Sequence, residues 1–224
     1  SSKKNVRDNP RVKSAILGYF DRWAPKQKIQ IKHSMLKSLL EARETRFSIE
    51  NPENFKKIFP LIQRINDQYK KLLPDYFKKQ NKKAQKTAFK IPKTAFTTIT
   101  TNINFQTSIH KDTGDDSEGF GNLVVIERGN YEGGETCLPQ YGVGVDVREG
   151  DILFMDVHEW HGNLPIISKE KSSIRMSVVC YLRTKLWERT KNMTIKNKKD
   201  HLELVQQIKE AYQKNKTRKY KTGK

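Results

Sequence analysis

Two of the five histidines in this 224-residue chain stand where chemistry can be built. His110 and Asp112 are separated by one residue at the end of a β-branched stretch, so in a strand both side chains point to one face. Roughly fifty residues on, after another strand-like run, comes His158-Glu159-Trp160-His161-Gly162-Asn163. Two imidazoles and one carboxylate on one face of an octahedron make the facial triad of non-haem Fe(II) oxygenases. Three coordination positions stay open, two for a bidentate keto acid and one for dioxygen. His161 is preferred as the third ligand because Gly162-Asn163 lets the backbone turn tightly beside the metal. His158 is the fallback.

An HxD pair alone occurs by chance in many chains, and it gains force here from the residues downstream of it. Arg175 lies fourteen residues after His161, on a stretch reading Arg175-Met176-Ser177-Val178-Val179-Cys180-Tyr181. Strand alternation puts Arg175, Ser177, Val179 and Tyr181 on one face. A guanidinium fork and a hydroxyl are what the far carboxylate of a buried keto acid requires, because an unpaired charge there is costly. A surface arginine is the plainer alternative, but this strand is among the most apolar in the chain. The four elements in this order point to Fe(II), 2-oxoglutarate and O2, with ascorbate as reductant in vitro. A cupin-type metal site and a sugar-binding jelly roll are the competing readings.

The elements that position these residues are legible in outline. Val12, Ile16, Leu17, Phe20 and Trp23 recur at helical spacing until Pro25, and Met35, Leu36, Leu39 and Leu40 predict a second helix over 34–45. Asn51-Pro52 reads as an N-cap with proline at the first helical position. The apolar face beyond it is kinked or divided by Pro60 and Pro74. From Thr94 the pattern turns β-branched, alternating and Gly-punctuated to Leu182, which predicts a sandwich or jelly-roll barrel. Asp200 and Glu203 form a capping box for a last helix, followed by a disordered tail over 215–224. The fold class expected is α+β: a double-stranded β-helix (jelly-roll) core with N-terminal helices packed on it and a C-terminal helix. The division expected is 1–93 basic and helical, 94–182 catalytic core, 183–224 basic helix and tail.

The net charge of +19 is unevenly spread. Residues 1–93 hold 24 Lys and Arg against 8 Asp and Glu, 94–182 hold 6 against 13, and 183–224 hold 14 against 4. An acidic centre between basic flanks is the electrostatic footprint of a polyanion binder, although a Lys-rich solvated surface has the same composition. No apolar run approaches the roughly 18 residues of a membrane span. Cys137 and Cys180 sit in apolar stretches and read as core residues rather than a disulfide. A soluble, intracellular monomer is expected, in a nucleus or in bacterial or viral-host cytoplasm.

The runs Thr100–Asp116, Gly129–Pro139 (GNYEGGETCLP), Gly150–Asn163 (GDILFMDVHEWHGN) and Arg175–Arg183 (RMSVVCYLR) resemble the TET/JBP dioxygenases, which oxidise the 5-methyl group of pyrimidines in nucleic acid. The resemblance covers about ninety residues, the barrel, and leaves both basic flanks unexplained. It implies iron ligands His110, Asp112 and His161 and keto-acid contacts Arg175 and Ser177. It also implies that Tyr181 lines the active site, with Thr100 as its hydroxyl partner. Asn102 or Asn104 bonds the keto acid or serves as a strand-end polar residue. Asp115 stands where the family places an asparagine near the base. The family's cysteine-rich zinc region is absent, since two cysteines cannot build it.

A methyl group inside a duplex is out of reach of such a pocket, so the base must be flipped or presented single-stranded. Tyr131 and Trp160 are candidates to stack on it. An ionised Asp115 only accepts hydrogen bonds, which suits the amine of 5-methylcytosine better than the O4 of thymine. The expected reaction is 5-methylcytosine to 5-hydroxymethylcytosine in DNA held by the basic helices and tail. Thymine to 5-hydroxymethyluracil is the alternative. A protein (prolyl-type) hydroxylase on the same iron site, or a DNA-binding module with a vestigial site, are the readings of other classes.

Overall fold

The β-branched residues after Thr94 do pair as strands, and they recruit an early segment into their sheet. The computed structural model describes residues 13–21 and 42–221, with side chains as far as residue 208 and at 210. Among the described residues the main sheet has six strands: β1 (Lys13–Phe20), β2 (Arg43–Glu44), β3 (Thr98–Ile103), β4 (Gly121–Arg128), β8 (Ile152–Met155) and β11 (Ile174–Tyr181). Their order is β2-β1-β3-β11-β4-β8, every pairing antiparallel. Two smaller ladders are β10 (Ile166–Ser168) with β5 (Tyr131–Gly133), and β6 (Thr136–Leu138) between β7 (Val143–Val145) and β9 (Gly162–Asn163).

The helix expected over Val12 to Trp23 is therefore a strand across the described residues 13–20. Alternation explains both faces of it. Ala15 and Leu17 pack into the core while Ser14 and Ile16 face a central cavity. Arg43–Glu44 is likewise extended, and the remainder of the helix expected over 34–45 lies outside the described residues.

One face of the main sheet is covered by helices. These are α1 (Arg46–Glu50), α2 (Pro52–Lys57), α3 (Phe59–Leu72) and α4 (Pro74–Ala84). Each of the last three carries proline in its first two positions, so Pro60 and Pro74 open helices rather than bend one. Leu73, ahead of Pro74, takes φ −131° and ψ 61°, outside the α region that a following proline disfavours. On α3, Ile62, Ile65 and Tyr69 recur on one face and meet Ile99, Val178 and Cys180 of the sheet. Each such apolar side chain contributes about 1.5–3 kcal/mol by leaving water. Asn66 accepts from the Ala95 N–H at 2.9 Å, tying α3 to the entry of β3.

After β11 come α5 (Thr184–Thr190) and α6 (Ile195–Lys221). The capping box sits earlier than expected. Thr194 Oγ1 accepts from the Asn197 N–H and Asn197 Oδ1 accepts from the Thr194 hydroxyl, so the helix starts at Ile195, not near Asp200. It runs on to Lys221 through much of the expected tail, because no proline or glycine interrupts that stretch. Cys180 is fully buried and Cys137 half-buried, both as free thiols. Among the described residues no helix is long and apolar enough to cross a membrane.

Candidate active site

Between the main sheet and the β6–β9 ladder lies a cavity of about 530 Å³. The main sheet sends one face of each strand into it: Ile16 from β1, Thr100 and Asn102 from β3, Arg175, Ser177, Val179 and Tyr181 from β11. Across from them stand His110, Asp112, Thr136, His161 and Asn163.

The two histidines meet because their backbones exchange hydrogen bonds, His110 N–H to His161 O at 2.8 Å and His161 N–H to His110 O at 2.9 Å. Asp112 is set by its own N–H donating to Val157 O at 2.8 Å. His110 Nε2 lies 3.7 Å from Asp112 Oδ1, and His161 Nε2 lies 3.7 Å from Asp112 Oδ2. One donor atom from each of the three residues falls within 4.8 Å of the others. Each imidazole Nδ1 faces a carbonyl oxygen, Ser108 O at 2.7 Å and Glu159 O at 2.8 Å. A carbonyl only accepts, so Nδ1 carries the proton and Nε2 keeps its lone pair for a metal. Burial lowers the pKa of His161, aided by neighbouring His110 and opposed by Glu159 O and Asp112. His158, the fallback ligand, is engaged by Asp156 at 2.9 Å and stands outside the cluster.

Arg175 is buried, and its Nη2 has no hydrogen-bond partner. A buried guanidinium with an open donor, in a cavity with three metal-type donors, would suit the carboxylate of a keto acid. Gly134, at φ +87°, makes its room: a Cβ there would stand 2.8 Å from Arg175 Nε. Ser177 and Asn102 are register partners on adjacent strands and face the cavity together. Asn104 does not. Its Oδ1 accepts from the Arg175 N–H at 2.7 Å and its Nδ2 donates to Ser173 O at 2.8 Å. At φ +46° it is a strand-end polar residue that fixes the start of β11.

Thr100 Oγ1 and the Tyr181 hydroxyl are 2.9 Å apart, so the two expected partners are bonded. Burial pushes the Tyr181 phenol well above its usual range. Asp115 lines the cavity but its carboxylate is already taken. Its Oδ1 accepts from Arg183 Nη1 at 3.1 Å, and Arg183 Nε donates to Asp21 Oδ1 at 2.9 Å. Burial and the nearby Asp112 push Asp115 up to about 8, against the pull of Arg183. With Oδ1 bonded to Arg183 and burial disfavouring its charge, Asp115 is less free to accept an amine than its residue type suggests. Arg183 Nη2 lies 2.9 Å from Asp21 Oδ1 without the alignment of a hydrogen bond. The Arg183 guanidinium lies 4.9 Å from the Phe20 ring centroid.

Tyr131 and Trp160 are both displaced from their expected places. Tyr131 is buried outside the cavity, with its hydroxyl on Glu127 and Arg148 4.5 Å from its ring centroid. Trp160 is not among the residues that line the cavity, so it does not lie against a group held inside. Arg183, Asp21 and Gly134 were not singled out from the sequence. Arg183 continues the parity of Arg175, Ser177, Val179 and Tyr181, which is a readable signal. Asp21, 162 residues distant, offers none.

Residues 32–184 match the family model Tet_JBP, described as the oxygenase domain of the 2OGFeDO superfamily. The chain belongs to the Tet_JBP family. Thymine dioxygenase JBP1 of Trypanosoma brucei brucei is 34% identical over 178 residues, which are 78% of this chain and 20% of that protein. The bifunctional helicase and thymine dioxygenase JBP2 of Leishmania tarentolae is 36% identical over 146 residues, 65% of this chain and 13% of that protein. The chain thus spans about a fifth or less of the length of these curated relatives. Among solved structures, NgTET1 in complex with 5mC DNA superposes with a TM-score of 0.54 at 15% identity, covering 77% of this chain and 61% of that one. That likeness shows a shared mixed fold with antiparallel sheets. In Tet_JBP terms, the superfamily's iron and 2-oxoglutarate have a matching donor set and an open buried guanidinium here.

Proposed function

We propose that this chain is the oxygenase unit of an enzyme that hydroxylates the 5-methyl group of a pyrimidine in DNA, with thymine the favoured base. The carrying observation is one cavity that holds the His110, Asp112 and His161 donors together with the unpartnered Arg175 guanidinium. The sheet and the smaller ladders that enclose it are read as a double-stranded β-helix.

His110 Nε2, the Asp112 carboxylate and His161 Nε2 would hold Fe(II). Arg175 would pair with the far carboxylate of 2-oxoglutarate, with Ser177 and Asn102 beside it. Iron, 2-oxoglutarate and O2 together supply the oxidising power that turns an unactivated methyl into an alcohol, leaving succinate and CO2. The chain supplies orientation and dryness. Leu123, Met155, Val157 and Val179 give the cavity apolar walls, and Tyr181, held by Thr100, fixes the shape between them. Arg183 and Asp115 close one end, where a base edge would be read.

Two observations favour thymine. At the Arg183–Asp115 end the placed acceptor, Asp115 Oδ1, is already bonded to Arg183, which serves an amine at C4 poorly. The relatives at 33–36% identity are named thymine dioxygenases. The 5mC DNA bound in the solved neighbour supports 5-methylcytosine as the second reading. Basic helices α4 and α6 approach the phosphates and position the strand without reading sequence.

The test is mass spectrometry of nucleosides after incubation with Fe(II), ascorbate, 2-oxoglutarate and either of two DNAs, one with 5-methylcytosine and thymine, one with thymine alone. 5-Hydroxymethyluracil from both is expected. 5-Hydroxymethylcytosine from the first alone would overturn the preference for thymine. Succinate without either product would point to another substrate, such as a protein side chain.

A further inference from the structure

The ladder that carries the metal donors has a second face. The isolated bridge between His110 and His161 brings Lys111 beside Trp160 and Ile109 beside Gly162. Trp160 and Ile109 do not line the cavity and face the outside, across the bridge from the donors. Trp160 is 50% exposed and Ile109 49%. Leu164, two residues past Gly162, is 48% exposed. The Lys111 ammonium stands 5.4 Å from the Trp160 ring centroid. Gly162 leaves Ile109 in place, since a Cβ there would come within 2.9 Å of Ile109 Cδ1. Lys111 also lines the cavity, so this patch stands at its rim.

We infer that this rim is a stacking platform for the nucleobase next to the one that enters the cavity, with Trp160 giving the ring face and Lys111 meeting the adjoining phosphate. The inference rests on the DNA reading above. An indole with an ammonium beside it, on a chain of net charge +19, matches a strand that alternates π-faces and phosphates. A second copy of the chain is the other occupant to consider. Ile109, Trp160 and Leu164 fall far short of the roughly 20–30 residues a side that a stable protein interface takes. A base lifted out of its stack leaves a neighbour with an uncovered face, and that face is what an exposed indole at the rim would cover.

The probe is a single-stranded oligonucleotide with one thymine between two adenines, and the same strand with abasic sites in place of those adenines. Binding is read by fluorescence anisotropy, with Co(II) in place of iron and dioxygen excluded. For the wild type, removing the neighbouring bases weakens binding by roughly 5- to 150-fold, the range of one base–aromatic stack. Trp160→Ala shows a loss in that range on the intact strand and none further on the abasic strand, while Trp160→Phe keeps most of the affinity. The platform is overturned if Trp160→Ala binds the intact strand like wild type, or loses equally on both strands. A dimer in sedimentation that Trp160→Ala abolishes would also overturn it. These failures differ from failure of the DNA reading, in which the wild type neither binds either strand nor oxidises its thymine in aerobic turnover with iron.

Discussion

Each ligand imidazole is held by a backbone carbonyl two residues before it, so the metal-facing nitrogen is fixed by the chain rather than by the metal. The donors therefore stand ready before any ion arrives. His110→Ala or Asp112→Ala is expected to weaken Co(II) binding, followed by visible absorption, by more than roughly 100-fold, the upper end of what losing an outer-shell partner costs. Oxidation is lost with it, while DNA affinity stays near wild type. Equal loss of binding and oxidation would mean that the site and the DNA surface are not separate. Arg175 makes a second residue-scale test. Charge-assisted hydrogen bonds contribute about 1.5–3 kcal/mol, so Arg175→Ala should raise the KM for 2-oxoglutarate by roughly 10- to 150-fold. Gly134→Ala should move the same constant in the same direction, because its new methyl would displace Arg175 from below. A Gly134→Ala enzyme with unchanged KM would show that Arg175 has slack.

Among elements, the tie between β1, the loop after Asp112 and the end of β11 matters most for the site. Arg183 reaches Asp21 on one side and Asp115 on the other, all three buried. Gly114 is needed there, since a Cβ would collide with the Arg183 guanidinium. Breaking a buried ion group by deleting one member costs about 3–5 kcal/mol, so Arg183→Ala should lower the Tm of the metal-free protein by roughly 6–20 °C. A shift under about 2 °C, the least that 1 kcal/mol would give a chain of this length, would remove Arg183 as a structural tie. Here the sequence was hardest to read. β1 is apolar toward the helices at Ala15 and Leu17 and also presents Ile16 and Phe20 to the cavity, so its period of two is masked and its spacing imitates a helix. The Arg175 strand was legible because its two faces differ, polar groups toward the cavity and Val178 and Cys180 toward the core. The donors were readable from their types and spacing, although the strand expected to carry them ends at Ile103 and His110 is placed instead by an isolated bridge to His161. Asn104 shared the parity of Asn102, but its positive φ takes it off the strand's cavity face, a turn of backbone that residue type does not announce.

Across the whole molecule, an acidic centre of 13 Asp and Glu against 6 Lys and Arg is flanked by strongly basic segments. One lysine of α4 reaches the active-site loop, where Lys83 binds Asp116 at 2.5 Å and Glu118 at 2.6 Å. The α6 lysines are not equivalent to one another. Lys198 donates to the Tyr19 hydroxyl at 2.7 Å and burial lowers its pKa, so it secures the helix to β1. Lys196 and Lys199 are exposed, so in the proposed DNA reading they are the ones that would meet phosphates. Charge reversal at Lys196, Lys199 and the lysines of 209–221, leaving Lys198 intact, should weaken DNA binding. Each phosphate that is no longer neutralised should also reduce the slope of log K against log salt by about 0.9 on duplex DNA. The slope is the decisive quantity, because affinity also falls if the helix merely loosens, whereas counterion release changes only with the number of phosphates neutralised. A weakened complex with an unchanged slope would take α6 out of the path of the DNA and leave the phosphates to the lysines of α4.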